Sequence, residues 1–380
     1  MKLYLPVSVL ILAVINFSCA TTKPALDKGS INHLKLLDEY DIPYNTIFKN
    51  TVIGGLSGID YNAAGNIYYM ISDDRSDKNP ARFYEAQIII NKNRIDSVVF
   101  KDVKFLKNSS GNYYPNSRTD PYHTPDPEAL RYNPTNNTFV WSSEGERIVR
   151  PGKLVLEDPS VTEINADGKY IDSFKLPPQL QMQSIKSGPR QNSVFEGLTF
   201  SKNYKSLFVS VEEPLYNDGS RAGLNDSTGI TRILKFDMDT KKPIAQYAYI
   251  LDPVAYAPTP LNGFRINGIP DILSLGENKV LVIERSYSTG RLACTIKVFI
   301  ADVSSAENIQ EFSSVKNKPE LRTVSKKLLL NMDKLGIYID NIEGVTFGPT
   351  LPNGKRSLLF VADNNFNPLE KTQILLFEIE

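Results

Sequence analysis

This chain of 380 residues has few histidines, few cysteines and no net charge. The only two histidines, His33 and His123, are too few for a histidine-based zinc site. The two cysteines are Cys19 and Cys294, and because Cys19 ends an apolar leader we expect no internal disulfide. Lys plus Arg and Asp plus Glu number 43 each, so the chain lacks the basic footprint of a nucleic-acid-binding protein.

Several sequence motifs are also missing. There is no P-loop and no dinucleotide-binding glycine pattern, which excludes the common nucleotide-binding folds. There is no Gly-x-Ser-x-Gly elbow either, which argues against a standard α/β-hydrolase. Any chemistry must therefore come from other groups, and the only abundant candidates are carboxylates with a few arginines.

The first 19 residues resemble a bacterial lipoprotein signal. Lys2 precedes an apolar run, Leu3 to Ile15, that is too short for a comfortable membrane span, and Cys19 follows a small residue. We therefore expect a signal peptide at 1–19, lipidation of Cys19, a polar tether at 20–32 and one folded domain at 33–380. The protein is expected in the cell envelope as an outer-membrane lipoprotein, on either membrane face, and ordinary signal cleavage is the alternative.

A motif that recurs roughly every 70 residues dominates the rest of the chain. Each copy holds a short apolar strand, a turn, and a second strand that usually ends in acidic residues. The copies begin near Gly54, Asp126, Phe195, Gly268 and Glu343. Because a single hairpin is marginal in water, the copies must stack to share a core. We predict an all-β propeller of about six blades, with five to seven allowed, closed by Gln373–Glu380 beside an N-terminal strand.

Acids that occupy equivalent positions of a propeller meet at one end of its axis. The acids that open the repeat copies are Glu128, Glu196, Asp271 and Glu343. The residues at the ends of the second strands are Asp73, Asp74, Glu144, Glu212, Glu213, Glu284, Asp363 and Asn364. We expect these groups to converge at one mouth. The alternative is that each acid is only a solvated residue at a strand-entry turn.

Crowded carboxylates repel one another, and a hard cation with oxygen ligands relieves that repulsion. Calcium is the candidate cation, and no organic cofactor is expected. The predicted metal ligands are Glu196, Asp271, Glu343 and Asp363. The predicted catalytic residues are Glu128, Glu196, Glu343, Arg75 and Arg285. The two arginines are expected to hold an anionic oxygen, with salt bridges inside the ring as the alternative.

A further set of residues is predicted to contact substrate. These residues are Asp73, Asp74, His123, Glu144, Glu212, Glu213, Glu284 and Asn364. His123 belongs to this set because it precedes a repeat acid in the polar loop 107–127, and long loops on a rigid scaffold often carry binding groups. An exposed loop histidine is the alternative.

Taken together, these motifs resemble the family described as esterase-like activity of phytase, a set of secreted bacterial proteins. The resemblance rests on the segments 55–58, 71–75, 126–130, 143–145, 195–198, 211–215, 283–285, 341–345 and 363–365. It covers most of the chain from about residue 50 and implies a propeller-like fold and a hydrolase. True propeller phytases surround phosphate with basic residues, and the shortage of lysines in the predicted mouth argues against phytate itself.

The sequence thus predicts a monomeric, cation-assisted hydrolase for small ester or phosphoester substrates, with no nucleic-acid partner. A non-catalytic envelope propeller that binds a ligand or partner is the second hypothesis. A lactonase-type propeller with a glutamate-led metal site is the third. Fold alone does not choose among them, because propellers host all three kinds of function.

Overall fold

A computed structural model describes residues 31–225, 229–276 and 278–380. The predicted signal peptide with Cys19, and all but the last two residues of the predicted tether, lie outside this part of the chain. The regular secondary structure of the described residues consists of strands, apart from two short 3₁₀ helices, Pro178–Leu180 and Met332–Lys334. None of the helices in these ranges has the length and apolar character needed to cross a membrane.

The strands follow one another as five successive antiparallel units. The chain begins with β1 (Leu34–Ile42) and a small hairpin of β2 (Ile47–Phe48) and β3 (Thr51–Val52). Blade 1 contains β4 (Leu56–Asn62), β5 (Ile67–Ser72), β6 (Arg82–Asn91) and β7 (Arg94–Phe105). The next unit runs through β8 (Pro127–Asn133), β9 (Thr138–Ser143), the inserted hairpin β10 (Glu146–Arg150) and β11 (Lys153–Glu157), then β12 (Ser160–Asn165) and β13 (Tyr170–Ser173). Blade 2 is built from β8, β9, β12 and β13.

The second half of the chain repeats the arrangement. Blade 3 contains β14 (Phe195–Phe200), β15 (Ser206–Val211), β16 (Ile230–Asp237) and β17 (Pro243–Ile250). Blade 4 contains β18 (Arg265–Gly268), β19 (Ile272–Gly276), β20 (Lys279–Ser288), β21 (Thr295–Asp302) and β22 (Ser325–Asn331). Blade 5 contains β23 (Asn341–Phe347), β24 (Ser357–Asp363) and β25 (Thr372–Ile379), completed by β1.

These units form a five-bladed propeller, so the predicted all-β propeller is confirmed. The inner strands β4, β8, β14, β19 and β23 contact one another in that order, and β23 returns to β4. Five blades lie within the expected range of five to seven and are one fewer than the expected six. Each of the five sequence copies makes one blade. Strand β1 pairs antiparallel with β25, which confirms the predicted closure by the two ends of the domain.

An apolar core fills the interface between each pair of adjacent blades. Between blades 2 and 3, for example, Val140 of β9 packs in one cluster with Phe195 and Val209. Fully burying a Val, Leu or Phe side chain stabilises a fold by about 1.5–3 kcal/mol. Five such interfaces hold the inner strands rigidly, which fixes the side chains at the ends of the propeller axis.

A β-bulge at the start of four inner strands sets the direction of the repeat residues. The strand register shifts at Ser57, Glu128, Glu196 and Glu343, in blades 1, 2, 3 and 5. A bulge breaks the alternation of side chains and re-aims the residue at that position. The three glutamates therefore face a cavity at the end of the axis.

Glycine follows the repeat acid in blades 3 and 5 because the inner strands approach closely at this level. A Cβ atom on Gly197 would lie 2.5 Å from the Cα of Asp271, and one on Gly344 would lie 3.0 Å from the amide nitrogen of Ile59. Contacts this short leave no room for a side chain. The Glu-Gly pairs of the sequence thus combine an acid that lines the cavity with a glycine that the packing requires.

Blade 4 departs from this pattern, because its inner strand is split. Strands β18 and β19 both pair with β20, and Asp271 lies in the break between them. Its carboxylate accepts hydrogen bonds from Arg131 Nη2 at 2.7 and 2.8 Å. Arg131 also donates to the carbonyl oxygens of Ile59, Leu198 and Ile272, so a single guanidinium ties four inner strands together across the axis.

Candidate functional site

A cavity of about 550 Å³ opens at one end of the propeller axis. Every blade contributes a charged residue to it. The charged residues that line it are Asp73, Glu128, Glu196, Glu212, Arg221, Arg285, Arg291, Asp340, Glu343 and Glu370. The structure therefore brings together acids that are distant along the chain, in the arrangement that the repeat predicts for Glu128, Glu196 and Glu343.

The carboxylates of blades 1 to 3 form two overlapping groups that share Glu128. One oxygen each of Glu128, Glu144 and Glu196 lie within 4.8 Å of one another, and the same is true of Asp73, Asp126 and Glu128. All are buried except Asp73, which is partly buried. We call these five residues the acid cluster.

Burial and mutual repulsion favour protonation of the acid cluster. Burial raises the pKa of Glu128, Glu144 and Glu196 well above the ordinary value, and their neighbouring carboxylates raise it further. The pKa of Asp73 is also raised well above its ordinary value by burial and by Asp126. A raised pKa favours the protonated carboxyl, whereas a positive charge bound nearby favours the ionised form.

One oxygen of the cluster has no partner. Glu144 is fully buried, and its Oε1 accepts a hydrogen bond from the backbone amide of Val194. Its Oε2 has no hydrogen-bond partner among the described residues. An unsatisfied buried carboxylate oxygen is costly, so this atom is an independent indication of a ligand.

The donor set fits a hard divalent cation. All the facing groups are carboxylate oxygens, the type of ligand that calcium prefers. Calcium–oxygen distances of about 2.4 Å place ligands on opposite sides of the ion about 4.8 Å apart. The spacing of the Glu128, Glu144 and Glu196 oxygens lies within that limit.

Arg285 separates the acid cluster from the other half of the mouth. Its Nη1 donates to Asn341 Oδ1 at 2.6 Å and to Glu343, and its Nη2 donates to Glu212 Oε1 at 2.7 Å. Burial alone would lower the pKa of Arg285, but Glu343, Glu212 and Glu196 raise it well above its ordinary value, so it stays charged. Arg285 thus forms the salt bridges that were the alternative for it, and its Nε remains without a partner in the described part of the chain.

Arg75 is not part of the cavity wall. Its guanidinium pairs with Glu146 of the inserted hairpin and donates to the carbonyl oxygen of Thr124 at 3.3 Å. Its Nε lies 3.7 Å from Asp126 Oδ1. These contacts position Asp126 and the start of β8, which corresponds to the salt-bridge alternative for this arginine.

Four other predicted residues are engaged away from the cavity. Asp74 binds Arg82 at 2.7 Å and caps the loop after β5, while His123 is exposed and contacts Asp120 at 2.9 Å. Glu284 accepts hydrogen bonds from Tyr249, Asn267, Lys326 and the amide of Asp252. Asp271, predicted as a ligand equivalent to Glu196, pairs with Arg131 instead because it lies in the split inner strand.

The remaining predicted residues, Glu213, Asp363 and Asn364, are buried and are not among the residues that line the cavity. Glu213 accepts from Ser193 at 2.7 Å and pairs with Arg221 at 2.9 Å; burial and Glu212 raise its pKa to about 7. Asp363 is buried, with one oxygen bonded to the amide of Asn365 and Oδ2 unpartnered within the described ranges. Asn364 Oδ1 accepts hydrogen bonds from the backbone amides of Gly55 and Phe366, each at 3.1 Å.

Sequence reasoning did not select Asp126 or the apolar side of the mouth. Asp126 comes two residues before Glu128, and residues two apart share a face of a strand, so this signal was available. Of the apolar residues, Ile266 and Tyr287 lie in strands β18 and β20 and the others in loops outside the repeat, so no periodic pattern marks the set. The set consists of Phe264, Ile266, Tyr287, Leu292, Tyr338 and Leu369.

Fold and site together define a five-bladed propeller with a buried acidic mouth. The chain belongs to the Phytase-like family, described as esterase-like activity of phytase, whose model matches residues 51–366. This match confirms the family that the sequence motifs indicate. A search among curated proteins found no match.

Solved structures give more distant likenesses. An α-L-arabinofuranosidase from Lactobacillus brevis is 9% identical with a TM-score of 0.46, over 86% of this chain and 91% of that one. A gluconolactonase from Xanthomonas campestris is 12% identical with a TM-score of 0.36, over 91% of this chain and 89% of that one. At TM-scores below 0.5 these likenesses say nothing about what this protein does.

Proposed function

We propose that this protein is a hydrolase that cleaves ester substrates at the propeller mouth, with a divalent cation held by the acid cluster. The observation that carries the proposal is the unpartnered, fully buried Glu144 Oε2 beside Glu128 and Glu196. Calcium is the first candidate because every facing donor is a carboxylate oxygen. Glu128, Glu144 and Glu196 would hold it.

Each remaining residue has a distinct task. When bound, the cation would polarise the substrate oxygen and lower the pKa of water. The guanidinium of Arg285, which lines the cavity and stays charged, stabilises the negative charge that develops on the substrate oxygen. Asp73, which lines the cavity and has a raised pKa, transfers a proton from water to the leaving alcohol.

The overall reaction is ordinary ester hydrolysis. A bond forms between the oxygen of water and the acyl carbon, and the bond between that carbon and the alcohol oxygen breaks. One proton from water goes to the leaving alcohol by way of the Asp73 carboxyl, and the carboxylic acid product releases its own proton to solvent. No redox partner is required.

The charge of the mouth favours neutral carboxylic esters over phosphoesters. Seven carboxylates line the cavity against three arginines, Arg221, Arg285 and Arg291, and two of these are already paired: Arg221 with Glu213, and Arg285 with Glu343 and Glu212. A phosphomonoester dianion brings further negative charge into this environment, and like charges at close range are unfavourable. Phosphoesters therefore come second as a substrate class.

The direct test is a panel of carboxylic esters and phosphoesters assayed with calcium and with a chelator. Wild-type protein should hydrolyse carboxylic esters only when the cation is present. Glu144→Gln should abolish this cation-dependent hydrolysis. Glu320→Gln, which changes an exposed acid outside the mouth, is the matched control and should behave as wild type. Equal hydrolysis with and without cation in all three proteins would reject the proposal.

A non-catalytic binding propeller is the second candidate. It is favoured by the salt bridges of Arg285, which satisfy Glu212 and Glu343 without any substrate. This function predicts cation binding that depends on Glu144 but no turnover of any ester in the panel.

We also propose that the chain is exported and anchored through a lipid on Cys19, on the strength of its apolar leader and the cysteine that ends it. Labelling of cells with a radioactive fatty acid tests this. The wild-type chain should carry the label and Cys19→Ser should not. An unlabelled wild-type chain would leave ordinary signal cleavage as the better explanation.

A further inference from the structure

The mouth has an apolar patch as well as its acids. Asp73, Glu128 and Glu196 of the acid cluster line the cavity from blades 1 to 3, while blades 4 and 5 contribute, among charged and polar residues, the large apolar side chains that we call the apolar wall. The wall consists of Phe264, Ile266, Tyr287, Leu292, Tyr338 and Leu369. Arg285 lies where the acids and the wall meet, so a molecule that touches Arg285 reaches both.

The wall is exposed at its outer edge and ordered by specific contacts. Leu292 is 87% exposed, Leu369 is 84% exposed and Phe264 is 53% exposed, so none of the three belongs to the core. The Tyr338 hydroxyl donates to the carbonyl oxygen of Leu292 at 3.1 Å. The rings of Phe264 and Tyr287 lie 6.4 Å apart, within the usual range for an aromatic pair.

Cys294 lies in the same part of the wall and adds to its apolar character. It lines the cavity and is buried, and its Sγ lies 4.0 Å from Asn341 Oδ1. Burial raises the pKa of this thiol to about 12, so it is neutral at physiological pH. A neutral buried thiol behaves as a small hydrophobe rather than as a nucleophile.

We propose that the apolar wall is a subsite for the acyl chain of the substrate, so that the preferred esters carry an aliphatic chain of several carbons. The inference rests on the proposed ester hydrolysis and names its substrate class. Its support is the continuity of the cavity: the wall begins beside Arg285, the group assigned to the reacting oxygen. A chain on the wall therefore leaves its ester group at Arg285 and the acid cluster.

The test compares esters of one alcohol with acyl chains from acetate to octanoate. For wild-type protein with calcium, kcat/KM should rise about two- to fourfold with each methylene until the wall is covered. The double variant Phe264→Ser/Leu292→Ser should lower the octanoate-to-acetate ratio of kcat/KM about tenfold or more. Leu328→Ser is the matched control: it changes a 46% exposed leucine of blade 4 on outer strand β22 and should leave the ratio as in wild type.

A binding measurement separates this inference from the proposed activity. The neutral fluorescent probe N-phenyl-1-naphthylamine should bind wild-type protein and the Leu328→Ser control equally. It should bind the Phe264/Leu292 double variant about fivefold or more weakly, because the double variant lacks two large apolar contacts. If the probe behaves this way but no ester is cleaved, the subsite stands and the hydrolase proposal fails.

Three results would overturn the subsite. One is ester hydrolysis without any dependence on acyl length. Another is an equal fall of the octanoate-to-acetate ratio in the Leu328→Ser control. The third is probe binding that the double substitution does not weaken.

Discussion

Two buried carboxylates near the propeller axis, Asp271 and Glu144, have the same burial but different partners. Both side chains are 0% exposed. Asp271 receives hydrogen bonds from Arg131 and from the amides of Ile272 and Val345. Glu144 receives one hydrogen bond, from the amide of Val194, and its second oxygen has no partner among the described residues.

The comparison separates a buried acid whose hydrogen-bond partners are complete from one whose partners are not. A buried carboxylate with an arginine and two amides is complete, and removing any partner harms the fold. A buried carboxylate surrounded by other carboxylates is incomplete, and only a cation or protons can complete it. The hydrogen-bond partners of a buried acid, rather than its burial or its position in a repeat, therefore indicate whether it is a candidate ligand-binding group.

The largest effect is expected at the structural pair. Arg131→Met should lower the free energy of unfolding by about 3–5 kcal/mol, because it leaves the Asp271 charge buried without its partner. Chemical denaturation with a chelator present measures this. Arg131→Met/Asp271→Asn should recover part of the loss, since the stranded charge is gone. A single variant as stable as wild type would mean that Asp271 is not held by Arg131.

The acid cluster should respond in binding rather than in folding. Glu196→Gln removes one of the three proposed cation ligands, and calcium affinity should fall roughly 100-fold by calorimetry. Glu320→Gln should keep the affinity of wild type. If Glu196→Gln binds calcium as tightly as wild type, Glu196 is not a ligand. The contrast with Asp271 would then give no support for a cation site.

A smaller effect of opposite sign is expected at Glu144. Glu144→Gln should raise the free energy of unfolding of the cation-free protein at pH 8 by on the order of 1 kcal/mol, because the folded state no longer has to protonate a buried carboxylate at this position or bury its charge. The same denaturation experiment measures it. A loss of stability would show that Glu144 is satisfied in the absence of a cation.

The pH dependence of stability should be the most gradual effect. Burial, opposed by Arg75, brings the pKa of Glu157 to about 8, and burial with Glu212 brings that of Glu213 to about 7. A carboxyl with a raised pKa in the folded state favours folding while protonated, and that contribution is lost as the pH rises through the raised pKa. With a chelator present, stability should therefore fall between about pH 4.5 and 8. A rise over this window would contradict the raised values.

Much of this architecture can be predicted from the sequence, because the repeat is regular where the blades are regular. Glu128, Glu196 and Glu343 occupy the same bulge of their inner strands, so a repeat position translates directly into a place in the mouth. Asp271 breaks the rule because the inner strand of blade 4 is split. Pro270 beside it was a signal of the break, since proline cannot donate a hydrogen bond to the sheet.

Other parts of the site depend on contacts that no local pattern encodes. Arg75 lies next to repeat acids in sequence, but its partner Glu146 belongs to a hairpin inserted into blade 2. Phe264, Leu292 and Leu369 reach the cavity from loops of differing length. Only the closed ring brings such segments together, so their roles follow from the structure and not from periodicity.

The most direct test of the account is unfolding of the protein at pH 8 with saturating calcium and with a chelator. Glu128 is the residue to vary, because it belongs to both groups of the acid cluster. Wild-type protein should gain about 2.7 kcal/mol at a calcium concentration 100 times Kd, and Glu128→Gln should gain much less. Identical unfolding curves for wild-type protein with and without calcium would contradict the claim that calcium completes the buried carboxylates of the mouth.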